Sequence, residues 1–182
     1  MRRLTCGIIA LLTLAAVCAM AATPTGLWLD VPFVRQPREG CGAACISMIL
    51  EYWTQKDPRF RREVPTVESI QRALYTPEAR GIFARDMKQY LERQGLRAFT
   101  FHGDWDDLEQ HLSKGRPLIV CLREGNLESA LHYVVVVGLD PAQNLVFVND
   151  PAGKKMAASH RADFEKSWKA ARYWTLLAVP PS

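Results

Sequence analysis

Val134, Val135, Val136 and Val137 stand in an unbroken row. β-Branched side chains are stiff about χ1 and pack well on a pleated surface. A run without alternation leaves no face for water, so it reads as a strand buried on both faces. That strand is expected to span Leu131 to Leu139. Pro117 to Leu122 and Leu145 to Val148 read as strands beside it, and Arg172 to Val179 closes the chain as another. Leu96 to His102 is a further strand, while Leu27 to Val34 is extended, with Pro32 marking an edge or irregular strand.

Helical signals fill the space before these strands. Ala44, Cys45, Met48, Ile49 and Tyr52 follow one another at spacings of three and four, so a helix begins near Cys41, after the Gln36 to Gly40 loop. Gln55 to Val64 is a charged loop, and Thr66 caps a helix reaching about Leu74. Phe83 to Gln94 carries the stripe Phe83, Met87, Tyr90 and Leu91 and stops at Gly95. Asp104 caps the next helix, with Leu108 and Leu112 inward and Gly115 as its stop. Ser159 is placed to cap a short helix bearing Phe164 and Trp168. Helices dominate the first half and strands the second. The expected fold is α+β, with N-terminal helices packed on a C-terminal antiparallel sheet.

With 182 residues, the chain suits one domain, and 48% apolar composition is too rich for disorder. No internal repeat stands out. The N-terminus reads as a processing signal over residues 1–22, with the domain following over 23–182. Arg2 and Arg3 precede 17 uncharged residues, Cys6 to Ala22, and Ala19-Met20-Ala21 offers small residues for cleavage after Ala21 or Ala22. The expected location is therefore exported, periplasmic or secreted. The alternative is membrane attachment through an uncleaved anchor, for which 17 residues is at the lower edge. A lipoprotein reading through Cys18 is weaker, since bulky Val17 stands where a small residue is needed. Losing Arg2 and Arg3 from 23 basic residues leaves 21 against 19 acidic, a net charge of +2. That is too small to argue for nucleic acid or membrane binding.

Removing the signal also removes Cys6 and Cys18. Cys41, Cys45 and Cys121 remain, an odd number in an oxidising compartment. Cys41 lies at a loop-to-helix junction between Gly40 and Gly42. Free N–H groups and partial positive charge at a helix start favour a thiolate, and flanking glycines would let a substrate backbone approach. The same placement suits a structural cysteine that happens to begin a helix. Cys45, one turn on, reads as a packed core cysteine or a resolving thiol, and a Cys45–Cys121 disulfide is open to either residue. No CxxC pair or second close histidine supports a metal site, and no cofactor is expected. His102, His111 and His160 read as surface or cap residues.

His132 starts one strand of a hairpin and Asp150 ends the next. If the pairing centres on Pro141, the two are direct cross-strand neighbours, with Cβ atoms about 4.5–5.5 Å apart. Asp150 could then hold one imidazole nitrogen and leave the other for a thiol. A slip of one residue would bring in Asn149, whose amide could orient the ring instead. Gln36, five residues before Cys41, could join the Cys41 N–H in an oxyanion hole.

Asp30-Val31-Pro32-Phe33-Val34-Arg35-Gln36, followed by Gly40-Cys41-Gly42-Ala43-Ala44 and then Met48 and Tyr52, resembles the nucleophile segment of the C39 peptidases, which are papain-like cysteine peptidases. His132-Tyr133-Val134-Val135-Val136-Val137-Gly138 resembles that family's histidine strand, and Asn149-Asp150-Pro151 its Asp-Pro site. The resemblance implies a papain-like fold, Cys41 as nucleophile, His132 as general base and acid, Asp150 as orienter and Gln36 as oxyanion donor. It implies a peptide or protein substrate. The Gln-to-Cys spacing is a residue shorter than in the bacteriocin-leader peptidases and closer to stand-alone C39-like proteins; leader-cutting members are fused to transporters and work in the cytosol, whereas this chain is expected to be exported, so leader cleavage and ATP-linked export are not implied. Two further readings are a non-catalytic peptide-binding module, and a papain-like amidase or acyltransferase acting on cell-wall peptides.

Overall fold

The structure, a computed structural model, describes residues 26–123 and 131–181. The expected signal over 1–22 lies outside them. No helix among the described residues is long and apolar enough to cross a membrane.

Seven strands among the described residues form one antiparallel sheet. They are β1 (Leu27–Trp28), β2 (Arg97–His102), β3 (Leu118–Arg123), β4 (Leu131–Asp140), β5 (Leu145–Asn149), β6 (Ala157–His160) and β7 (Trp174–Val179). The main order is β2-β7-β3-β4-β5-β6, with β1 paired to β4. The helices are α1 (Cys41–Lys56), α2 (Val67–Leu74), α3 (Ala84–Arg93), α4 (Trp105–Ser113) and α5 (Arg161–Ala170), with a short 3-10 turn at Pro77–Ala79. Val134 to Val137 are buried in the middle of the sheet, as the unbroken β-branched run predicts.

Two apolar layers enclose that strand. Val135 and Val137 pack with Ile46, Met48 and Ile49 of α1 and with Met87 and Leu91 of α3. Val134 and Val136 pack with Leu108 and Leu112 of α4 and with Phe164 and Trp168 of α5. Helices thus cover both faces, and β2, which precedes α4 in the chain, forms one edge of the sheet.

Local signals behave as their chemistry demands. The Thr66 hydroxyl accepts from the Ser69 N–H, and Asp104 and Asp107 form a reciprocal capping box. Gly95 and Gly115 take left-handed conformations at φ 84° and 68° after their helices. Three expectations need correction. Ser159 lies in β6 and caps nothing, and His160 precedes α5 without a side-chain cap. Phe83 precedes α3 and is 38% exposed rather than part of its inner stripe. Only Leu27 and Trp28 of the N-terminal extended segment pair as a strand.

Candidate active site

Cys41 is the first residue of α1. Gly40 before it makes no side-chain cap, and no acidic residue occupies the first turn, so the N–H groups there are not neutralised by the chain's own carboxylates. The flanking glycines are closely packed by the chain itself. A Cβ on Gly40 would lie 2.8 Å from the Pro37 ring, and one on Gly42 3.3 Å from Ile82. Both are small because the chain packs tightly on itself.

His132 lies near the start of β4 and directly opposite Leu122 of β3. Its Nε2 is 2.7 Å from Asp150 Oδ1, and the two side chains are 30% and 31% exposed. Nδ1 is left for the thiol. Burial alone would lower the His132 pKa. Hydrogen bonding with Cys41 and Asp150, and the charge of each, instead raises it to about 9. Asp150 Oδ1 also accepts from the Ala152 N–H at 2.9 Å, which fixes the carboxylate within its own turn.

The contact between His132 and Asp150 arises differently from the hairpin register expected. Asp140 pairs with Leu145 and Gly138 with Phe147, but Val135 pairs with Asn149, because the register shifts between Val136 and Gly138. Val137 is the extra residue of a β-bulge. Carried one step past Asn149, the shifted register places Asp150 opposite Val134, two residues from His132 and on its side of β4 by alternation. The pair is therefore diagonal rather than directly opposed. Without the bulge Asp150 would align with Val135, on the other side.

Asn149 is not a second candidate orienter. It is fully buried, its Nδ2 donates to the carbonyls of Val31 at 3.0 Å and Pro32 at 3.4 Å, and its Oδ1 accepts from the Met156 N–H. It ties the N-terminal segment to β5. The next link is the Gln36 N–H, which donates to the Pro151 carbonyl at 3.0 Å. Gln36 Oε1 is buried without a hydrogen-bond partner among the described residues. Sequence reasoning did not find this clamp, because Asn149 could be read only as a neighbour of Asp150.

Gln36, Cys41 and His132 line one open cavity of about 430 Å³. Glu39, Arg80 and Leu131 also line it, and none of these three stood out in the sequence. The Tyr75 hydroxyl donates to Glu39 at 2.7 Å, and Arg80 approaches it at 3.5 Å.

Cys45 and Cys121 are both buried and free, so the disulfide between them is not formed. Burial pushes both thiols up, Cys121 to about 12. His102 and His160 are exposed and His111 is half-buried, and burial lowers the His111 pKa. Among the described residues no three His, Cys, Asp or Glu side chains group to hold a metal ion.

The model of the "Peptidase_C39 like family" matches residues 28–175. Comparison with curated proteins returns no match. Solved structures of similar fold include a double glycine motif protease from an AMS/PCAT transporter in complex with the leader peptide, at TM-score 0.63 and 22% identity over 85% of this chain and 94% of that one. The peptidase domain of Streptococcus ComA, a bi-functional ABC transporter involved in quorum sensing, aligns at TM-score 0.63 and 18% identity over 82% and 98%. A protein from Bacillus anthracis assigned as a C39-like peptidase aligns at TM-score 0.60 and 19% identity over 86% and 98%. At these identities the structures show a shared papain-like α+β fold.

Proposed function

This chain belongs to the peptidase C39-like family, and on that premise we propose that it is an exported cysteine peptidase whose nucleophile is Cys41. One observation carries the reading: Cys41 and His132 line the same open cavity, and Asp150 holds the far nitrogen of His132 at 2.7 Å. A nucleophilic cysteine needs a base within reach and a third group to fix that base.

His132 Nδ1 takes the thiol proton, and the thiolate attacks a peptide carbonyl. The Gln36 side-chain amide and the Cys41 backbone N–H stabilise the resulting oxyanion, with the Gln36 amide turned so that its NH₂ faces the cleft. The imidazolium returns its proton to the departing amine, leaving a thioester between Cys41 and the acyl half. Water, deprotonated by His132, then hydrolyses that thioester and restores the thiol. Asp150 keeps the ring oriented throughout and favours its protonated form. A peptide substrate agrees with the leader peptide bound to the double glycine motif protease. Export rests on the N-terminal sequence, with Arg2, Arg3 and the uncharged stretch to Ala22.

The test combines labelling with turnover. Native protein treated with iodoacetamide is expected to label at Cys41, while Cys45 and Cys121, 0% and 3% exposed, label only after denaturation. Digestion of unstructured peptides should disappear in Cys41→Ala. Equal labelling of the three thiols, or undiminished turnover in Cys41→Ala, overturns the assignment. Expression with and without residues 1–22, followed by cell fractionation, tests export.

A further inference from the structure

We infer that the cavity beside Cys41 is a subsite for a long aliphatic side chain ending in a cation, lysine or arginine, of a peptide substrate. The inference rests on the peptidase reading and adds to it a substrate class.

Charged side chains are unevenly matched in this cavity. Glu39, Glu78 and Arg80 line it together with Cys41. The Glu39 carboxylate is fixed by the Tyr75 hydroxyl at 2.7 Å on one oxygen and by Arg80 at 3.5 Å on the other. The Tyr75 hydrogen bond holds Glu39 below the usual carboxylate range, so it is ionised at neutral pH. Arg80 is thereby set against Glu39. Glu78, exposed on the Pro77–Ala79 turn, has no cationic partner among the described residues. These three groups leave one net negative charge, that of Glu78, set beside the Cys41–His132 pair in the same cavity.

Apolar surface lies beside that charge. Leu131 is 45% exposed and forms part of the wall, as does Ala79. Lysine and arginine side chains lay their methylenes on apolar surface and keep the charged head wet. A wall of leucine and alanine with carboxylates at its rim matches that division. An acidic side chain would meet Glu78 unfavourably.

Both members of the Glu39–Arg80 pair sit at left-handed turn positions. Glu39 is the third residue of a turn closed by the Gly40 N–H on the Pro37 carbonyl at 2.9 Å, and its φ is 54°. Glycine would hold that conformation without strain. Arg80, its ion-pair partner, is likewise left-handed at φ 47°. Non-glycine residues kept in such conformations concentrate at functional sites.

Two measurements test the subsite, with Glu78→Lys as the variant, since Glu78 is exposed and its replacement leaves the core intact. In the first, wild type, Cys41→Ala and Glu78→Lys digest one library of unstructured peptides under reducing conditions, and cleavage sites are mapped by mass spectrometry. Sites flanked by lysine or arginine are expected to be enriched, and Glu78→Lys to cut that enrichment about three- to fivefold, the scale of one exposed ion pair. In the second, Cys41→Ala with and without Glu78→Lys binds matched fluorescent peptides carrying lysine, alanine or glutamate, read by anisotropy at low and high salt. Tighter binding of the lysine peptide, weakened by salt and by Glu78→Lys, is the expected result. Cleavage that depends on Cys41 but shows no basic preference, or favours acidic residues through Arg80, overturns the subsite and leaves the peptidase reading intact. Lysine-selective binding with no cleavage overturns the peptidase reading and keeps the subsite. Neither cleavage nor selective binding overturns both.

Discussion

His132 joins two opposed effects in one side chain. Burial disfavours its charge, while Cys41 and Asp150 favour it strongly enough to bring the pKa to about 9. In the unfolded chain the ordinary value is 6.5. The folded state therefore binds the proton more tightly. This contribution to stability is fully present below pH 6.5 and is lost as pH rises through about 9. Asp150→Ala removes one of the raising causes. NMR titration should then place the His132 midpoint lower, and urea denaturation should show a smaller loss of stability across that window than in wild type. A wild-type stability that increases between pH 6.5 and 9 would contradict the assignment. Turnover in Asp150→Ala should also drop, since the ring loses both its orientation and its preference for the charged form. Asp150→Asn separates the two effects. It can keep a hydrogen bond to the ring without the charge, so part of the lost turnover should return while the titration midpoint stays low.

Among the elements, β4 decides whether the site exists. Its bulge at Val137 carries Asp150 to the side of the strand on which His132 lies. The same irregularity explains why both Val136 and Leu139 face the layer that holds Val146 and Val148. Gly138 follows the bulge and lets β1 come close, since a Cβ there would lie 2.7 Å from the Leu27 carbonyl oxygen. No flexible side chain can yield at that point, because the obstacle is backbone. Gly138→Val should therefore displace β1 and cost about 1–3 kcal/mol, the usual range for overpacking a close-packed interior. Chemical denaturation would show the loss, and proteolysis near residues 26–30 should accelerate. Unchanged stability in Gly138→Val would mean that β1 is not held by this approach. The α1 helix makes a complementary contribution: its buried face runs from Gly42 to Leu50 without a gap, so Cys41 sits at the end of a rigid core element rather than on a loop.

Across the whole molecule, the two halves of the site are joined by one short segment. Asn149 binds the carbonyls of Val31 and Pro32, Asp150 binds His132, and Pro151 accepts from Gln36. The N-terminal segment and the β4–β5 hairpin therefore meet at Asn149 and Pro151, the two residues flanking Asp150. Asn149→Ala leaves the Val31 carbonyl and the Met156 N–H without partners, at a cost of about 1–3 kcal/mol. Thermal denaturation should show that loss. Per folded molecule, turnover should fall as well, because Gln36 loses its register with Cys41, while the pH profile set by His132 should keep its shape. A variant that is destabilised but fully active would reduce Asn149 to a packing role.

The amino-acid sequence determined what local chemistry can determine. Helix stripes, caps at Thr66 and Asp104, stops at Gly95 and Gly115, and the doubly buried strand were all legible, because each depends on neighbours within a turn or a strand. So were the residue types suited to nucleophilic chemistry at Cys41, His132, Asp150 and Gln36. The register that joins them was not. A strand apolar on both faces has no alternation to betray a bulge, so Val134 to Val137 concealed the shift that brings Asp150 beside His132. β6 was equally hidden, since Ala157, Ala158, Ser159 and His160 have little strand preference of their own and are held by pairing with β5. The partners of Asn149 lie 118 and 117 residues away in the chain, and such contacts exist only once the sheet has assembled. Local preference follows from the covalent chain itself. Which side chain meets which across the sheet is decided only by packing, and that decision placed the imidazole between a carboxylate and a thiol.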